Sequence, residues 1–194
     1  MAADEVTITN LALAAKAGDQ AAAAAFVRAT QQQVHRFLAH LVHPREAEDL
    51  AQETYLRAMK ALPRFAARSS ARTWLYSIAR RVAADHLRAA AARPRRAEVA
   101  DVDAAVDAVV TSPRFEEQVA LRELLAGLTE ERRLAFIATQ VLGLSYAEAA
   151  EVCDCPIGTV RSRVARARED LVVAMQGHGS RPGRGSGAAG GLAG

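Results

Sequence analysis

Aromatic residues make up only 5% of this 194-residue chain, and its two cysteines, Cys153 and Cys155, sit one residue apart. No uninterrupted apolar run reaches the roughly 18 residues that a membrane-spanning helix needs. The N-terminus lacks a basic segment followed by an apolar stretch, so no secretion signal is visible and a cytoplasmic location is expected, away from membranes. A single C-x-C pair cannot complete a four-ligand zinc site, and a disulfide inside it would close a strained, very short ring; structural thiols are the expectation. The only other grouping with metal-ligand chemistry is His35, His40 and His43 with Glu46, and no further residue completes it. A metal-dependent hydrolase built on those residues therefore has little support. No catalytic constellation, metal site or cofactor is expected. Alternating apolar and polar residues, the mark of strands, are absent, as is any internal repeat.

What the chain does have is alanine, the best helix former and a poor core filler. An all-α fold with thin cores follows. Residues 8–92 read as a run of helices. Thr9-Asn10 can cap a first helix, and Gly18-Asp19 can end it and begin the next. Between Gln20 and Val42, Phe26, Val27, Val34, Phe37, Leu38, Leu41 and Val42 recur at spacings that suit one buried stripe. Pro44 stops that helix, a third runs from about Arg45 to Leu62, and a fourth from near Ser70 to about Ala92. Prolines, small residues and acidic residues then take over across 93–113, which reads as a flexible linker. A second helical block occupies 114–175, and the glycine-rich segment 176–194 reads as a disordered tail.

The net charge of +3 hides an uneven distribution. Arginines cluster at positions 88, 93, 95 and 96 and again at 161, 163, 166 and 168, with acidic residues between the two groups. Two basic patches flanking an acidic spacer suit two contacts with a polyanion, although solvated helix faces have the same look.

The segment Ser145–Leu171 is the most informative. Ser145 and Glu148 form a capping box opening a short helix, and the small residues Ala147, Ala149 and Ala150 let another helix cross closely. Cys153-Asp154-Cys155 makes the turn, with Asp154 placed where a left-handed residue is needed, and Pro156 fits the first turn of the next helix. On a helical wheel Ile157, Val160, Val164, Ala167 and Leu171 share one face and are expected to pack inward. Thr159, Ser162 and Arg166 lie opposite, with Arg161, Arg163 and Arg168 at the margins. Arginines and hydroxyls on the outer face of the second helix of a helix-turn-helix suit the major groove and its phosphates. A free-standing helix-turn-helix regulator, its N-terminal block sensing a ligand or dimerising, would carry the same motif.

The third helix buries Leu50, Ala51, Thr54, Tyr55, Ala58 and Leu62, and presents Asp49, Gln52, Glu53, Leu56 and Lys60 outward. Leu56 among carboxylates suits a protein partner with basic and apolar side chains, or equally a solvated face. In sequence, Asp49-Leu50-Ala51-Gln52-Glu53-Thr54-Tyr55-Leu56-Arg57 resembles region 2.2 of the extracytoplasmic-function sigma factors. Ala71-Arg72-Thr73-Trp74-Leu75-Tyr76-Ser77-Ile78-Ala79-Arg80, continued by Asp85-His86-Leu87-Arg88, resembles regions 2.3 and 2.4, and the string from Cys155 to Arg168 resembles region 4.2. The residues around AARSSARTWL and the V-C-D-C-P turn are most similar to the actinobacterial C-type group.

The resemblance implies two small helical domains, sigma region 2 and the region 4 helix-turn-helix, that bind core RNA polymerase and promoter DNA. Asp49, Gln52, Glu53 and Leu56 would meet the clamp helices of the largest subunit, while the other module contacts the flap. The loop Arg64–Ser70, with Ser69 and Ser70, would capture a base flipped from the melting element, and Arg72, Arg80, Arg81 and Arg88 would hold the adjacent backbone. Pro156, Thr159, Arg161, Ser162, Arg163 and Arg166 would read the upstream duplex. Trp74 falls at core spacing and is expected to pack rather than stack on a base. An anti-sigma factor is a further partner known in this family; the chain itself carries no sign of one.

Overall fold

The computed structural model describes residues 2–92 and 113–178. Residues 93–112 and 179–194, which hold most of the expected linker and tail, lie outside the described residues. Every element among the described residues is helical: α1 (Ala2–Lys16), α2 (Gln20–Leu41), α3 (Pro44–Ala61), a 3₁₀ turn (Leu62–Arg64), α4 (Ala71–Ala92), α5 (Pro113–Ala126), α6 (Glu130–Phe136), a π turn (Ile137–Val141), α7 (Tyr146–Cys153) and α8 (Ile157–His178). No membrane-crossing helix occurs among the described residues. Gln176–His178 belong to α8 rather than to the tail.

The helix ends follow local chemistry. Asp19 Oδ1 accepts from the Ala22 amide at 2.9 Å and starts α2 after Gly18, whose φ of 100° closes α1. His43 does more than precede a proline: its Nδ1 accepts from the Arg45 amide, while Glu46 accepts from the His43 amide, both at 3.3 Å. The expected cap at Thr9 is a correction. α1 begins seven residues earlier, at Ala2, and Thr9 lies in mid-helix with its hydroxyl turned to the start of α4.

Helices α1–α4 form one packed unit. The stripe on α2 buries Phe26, Val34, Phe37, Leu38, Leu41 and Val42 as its spacing requires, and Val27 stays half-exposed. Phe37 meets Tyr76 of α4 edge-on at 5.2 Å between ring centroids. Alanines recur in the interior: Ala12, Ala47, Ala58, Ala71 and Ala79 are fully buried. Across α3 and α4, Arg57 donates to Asp85 at 2.6 Å and to Glu53 at 2.7 Å, and the paired guanidiniums of Arg57 and Arg88 hold the Asp85 carboxyl below the usual range. Helices α5–α8 make the second unit, with Leu125, Ile137, Val152, Val160 and Val164 at its centre. α7 lies along α4, so the two units share a wall.

Candidate functional site

Three surfaces carry the chemistry. The first is a groove of about 920 Å³ between α2 and α3, lined by Val27, Arg28, Gln31, Gln32, His35, Glu48, Ala51, Gln52, Tyr55, Leu56 and Met59. Gln52 and Leu56 rise from its rim; Leu56 is 58% exposed, a large aliphatic side chain more than half open to solvent among the described residues. Asp49 is exposed on the same helix, and Glu53 is half-buried in its ion pair with Arg57. The groove floor is polar but satisfied. Tyr55 and Thr30 share a 2.8 Å hydrogen bond, and burial, only partly opposed by that bond, pushes the Tyr55 phenol up to about 12.

The second surface is the segment after the 3₁₀ turn. Arg64, Phe65, Ala66, Ala67, Arg68 and Ser69 close a cavity of about 390 Å³ against Trp74, Ser77, Ile78 and Arg81 of α4, with Glu151 of α7 at its edge. That volume lies within the roughly 300–1,000 Å³ of small-ligand pockets. Phe65 is buried and packs on Trp74 with ring centroids 4.9 Å apart. Trp74 therefore both packs, as its spacing requires, and walls the cavity. Ala67 holds φ at 50°, a left-handed conformation that costs a non-glycine residue roughly 1–2 kcal/mol. Ser70 caps α4, accepting from the Thr73 amide at 3.1 Å.

Of the sequence-based residues for this surface, Arg64, Ser69 and Arg81 come together at the cavity. Arg80 and Arg88 do not. They face a second cavity of about 490 Å³ shared with Glu130, Glu131, Cys153, Cys155 and Arg163. Arg80 there lies 3.6 Å from Asp154 of the helix-turn-helix, and Arg88 pairs with Asp85. Arg72 is half-buried near the start of α4. In the sequence Phe65 and the positive φ of Ala67 are marked only by an aromatic beside a short alanine-serine stretch.

The third surface is the helix-turn-helix. Ser145 Oγ accepts from the Glu148 amide at 3.2 Å and Glu148 accepts from the Ser145 amide at 2.8 Å, completing the capping box. Burial alone would raise the Glu148 carboxyl, but hydrogen bonds with the Ser145 hydroxyl and amide, joined by Glu5 and Thr73, outweigh it and hold it below its usual value. Asp154 adopts the left-handed conformation (φ 54°, ψ 49°), and the Cys155 amide reaches back to the Ala150 carbonyl at 3.1 Å. That is the closure a helix needs before it turns sharply.

On α8, Val160, Val164 and Ala167 are buried and Leu171 is half-buried. Ile157 is the exception and a correction: at 40% exposed it does not pack inward, because it sits in the first turn, at the edge of the covered stretch. Pro156, Arg161, Ser162 and Arg166 are exposed and Thr159 is half-buried. Arg161 lies over the Tyr146 ring, its guanidinium 5.8 Å from the centroid. Arg163 is drawn inward, donating to Cys155 Sγ at 3.4 Å, and Arg168 donates to Gln140 at 2.8 Å.

Cys153 is buried, which pushes its thiol up to about 11. Among the described residues no group of His, Cys, Asp or Glu is placed to hold a metal ion. The three histidines weighed for that purpose have separate surroundings: His35 lies 4.0 Å from Glu48, His43 caps α3, and His40 is packed near Arg36 and Arg122. Glu46, the fourth member of that set, meets His86 of α4 at 3.0 Å.

Comparison with known proteins matches each helical unit separately. The Sigma-70 region 2 family model matches residues 26–93, and the Sigma-70, region 4 model matches residues 118–171. The ECF RNA polymerase sigma factor SigC of Mycobacterium tuberculosis is 52% identical over 171 residues, spanning 88% of this chain and 92% of that protein. The sigma factor RpoE of Bartonella quintana, solved in complex with the anti-sigma factor NepR, is 28% identical, with 77% of this chain and 94% of that chain covered at a TM-score of 0.63. CnrH, solved in complex with the cytosolic domain of CnrY, shares the fold at a TM-score of 0.70 and 22% identity, covering 88% of this chain and 98% of that one.

Proposed function

The chain belongs to the extracytoplasmic-function sigma factors, which bind core RNA polymerase and direct promoter recognition and initiation, and from that premise we propose how its surfaces divide the work. Residues 8–92 form the polymerase-binding and melting unit, 93–113 the linker, and 114–175 the upstream-reading unit. Asp49, Gln52, Glu53 and Leu56 dock on the clamp helices of the largest subunit, and the second unit touches the flap. Arg64, Ser69 and Arg81 hold the melting element at the 390 Å³ cavity, Ser70 and Arg72 act beside it at the start of α4, and Arg80 and Arg88 reach backbone further along that helix. Pro156, Thr159, Arg161, Ser162, Arg163 and Arg166 read the upstream duplex from α8. Catalysis belongs to the polymerase; this chain is an initiation factor and not an enzyme. It acts in the cytoplasm, where the polymerase is, and an anti-sigma factor, as NepR is for the solved relative RpoE, is a further partner.

The observation that carries the division is the pairing of two different surfaces on one chain: an uncovered leucine among carboxylates on α3, and a basic, hydroxyl-bearing face on α8 behind a properly closed turn. The region 2 match over residues 26–93 leaves the free-standing regulator without a sensing domain.

Run-off transcription with core polymerase on a promoter library tests it. Arg166→Ala should reduce upstream-element recognition about 5- to 150-fold, the worth of one specific arginine contact, with polymerase binding intact. Asp49→Lys with Glu53→Lys should abolish polymerase association first. The reverse pattern would show the two surfaces to be wrongly assigned, and tight duplex binding without any transcripts would favour the free-standing regulator.

A further inference from the structure

Both ends of the loop that closes the 390 Å³ cavity are tied to α1, a helix far from it in sequence. Lys16 Nζ donates to the Phe65 carbonyl at 2.7 Å, across 49 residues. Thr9 Oγ1 accepts from the Ala71 amide at 3.1 Å, across 62 residues, and so satisfies a donor at the start of α4 that has no partner within its own helix. Ser70, the cap of α4, lies 3.5 Å from Glu5 as well. Ile8 and Ala12, fully buried, anchor α1 between these contacts. The loop in between is strained at Ala67, and a strained backbone persists only where its surroundings over-determine it. α1 precedes the residues that the region 2 model matches.

We propose that Thr9 and Lys16 are positioning residues for base capture: α1 clamps the loop from Phe65 to Ser70 at both ends, so that the cavity walled by Trp74 and Arg81 is formed before a base arrives. The proposal rests on the reading that this loop takes a flipped base. Extrusion already costs stacking and pairing, so a pocket that also had to be ordered on arrival would capture its base less selectively. Neither side chain lines the cavity. Their effect is on selectivity and acts through the loop.

The test uses holoenzyme assembled from the full chain and core polymerase. The probes are single-stranded non-template oligonucleotides from a promoter identified by run-off, carrying each base or an abasic site at the flipped position. The wild type should prefer one base over the abasic site. Lys16→Met, Thr9→Val and the double variant should cut that preference, the double variant about tenfold, while holoenzyme assembly and upstream-duplex affinity stay unchanged. Lys16→Arg and Thr9→Ser should restore it. A merely structural role would lower the melting temperature without touching the ratio between base and abasic site, and that outcome overturns the proposal. If the wild type shows no base preference, base capture itself falls and takes the clamp with it. If the wild type discriminates and the double variant does so equally, only the clamp falls.

Discussion

Replacing Asp154 isolates what the left-handed turn between α7 and α8 costs. Its φ of 54° and ψ of 49° place an L-residue where Cβ crowds the backbone, at roughly 1–2 kcal/mol. Glycine escapes that penalty but loses about 0.5–1 kcal/mol in unfolded-state entropy relative to alanine. Both Asp154→Gly and Asp154→Ala delete the contact with Arg80, which at 3.6 Å, with the Asp154 side chain 77% exposed, contributes about 0–1 kcal/mol. That term cancels when the two variants are compared. Taking the middle of each range, the glycine variant should be more stable than the alanine variant by about 0.75 kcal/mol. For a chain of this size that is about 1–4 °C in melting temperature. Asp154→Val, β-branched in the same conformation, should be worse than alanine. Urea unfolding and thermal melts of the three proteins measure the series, and upstream-duplex binding should follow it, because the turn sets the angle of α8. An alanine variant as stable as the glycine variant would mean that the turn relaxes out of the left-handed region, and the reasoning from its strain would fail.

Two further outcomes can be checked on the folded protein. Burial, then the charges of Arg36 and Arg122, hold the His40 imidazole below its usual value; the unfolded chain then takes up a proton first as pH falls through about 6.5, so stability is full above that pH and declines below it. His40→Gln should flatten the stability profile between about pH 7 and 5 in chemical denaturation, and an unchanged profile would place the titrating group elsewhere. Phe37→Ala, which empties a fully buried site against Tyr76, should cost about 3–5 kcal/mol in urea unfolding, and a loss under about 1 kcal/mol would show that the bundle closes over the gap.

Where an element is set by its own residues, the sequence was easy to read. The stripe on α2 apart from the half-exposed Val27, the inner face of α3 apart from the half-buried Tyr55, the Ser145–Glu148 box and the left-handed Asp154 each depend on spacing or on one side chain's chemistry, and each stands where the chain alone places it. What escaped depends on partners distant in sequence. Thr9 looks like a cap for its own helix; that it serves α4 instead is decided only when α1 docks. A wheel gives the direction in which Ile157 points but not whether a neighbour reaches that end of α8. The same limit separates Arg81 from Arg80: adjacent on one helix, they open onto different cavities because the loop after the 3₁₀ turn covers one side of α4 and α7 covers the other. The π turn at Ile137–Val141, where the Leu142 amide bonds to the Ile137 carbonyl at 3.0 Å, has no local signature in its apolar residues.

The alanine buried in the interior gives this protein a lopsided tolerance of mutation. At Ala12, Ala47, Ala58, Ala79, Ala135 and Ala138 only a methyl is left to delete, so truncation, the usual route to damage in a core, is limited to the roughly 1 kcal/mol that glycine costs in a helix. Enlargement is not: every added methylene must push two backbones apart in an interior packed as densely as a crystal. A larger side chain at any of these six positions should cost about 1–3 kcal/mol. A lineage of such proteins would keep its alanine content because its helices lie close together, whatever happens to the surfaces that choose promoters.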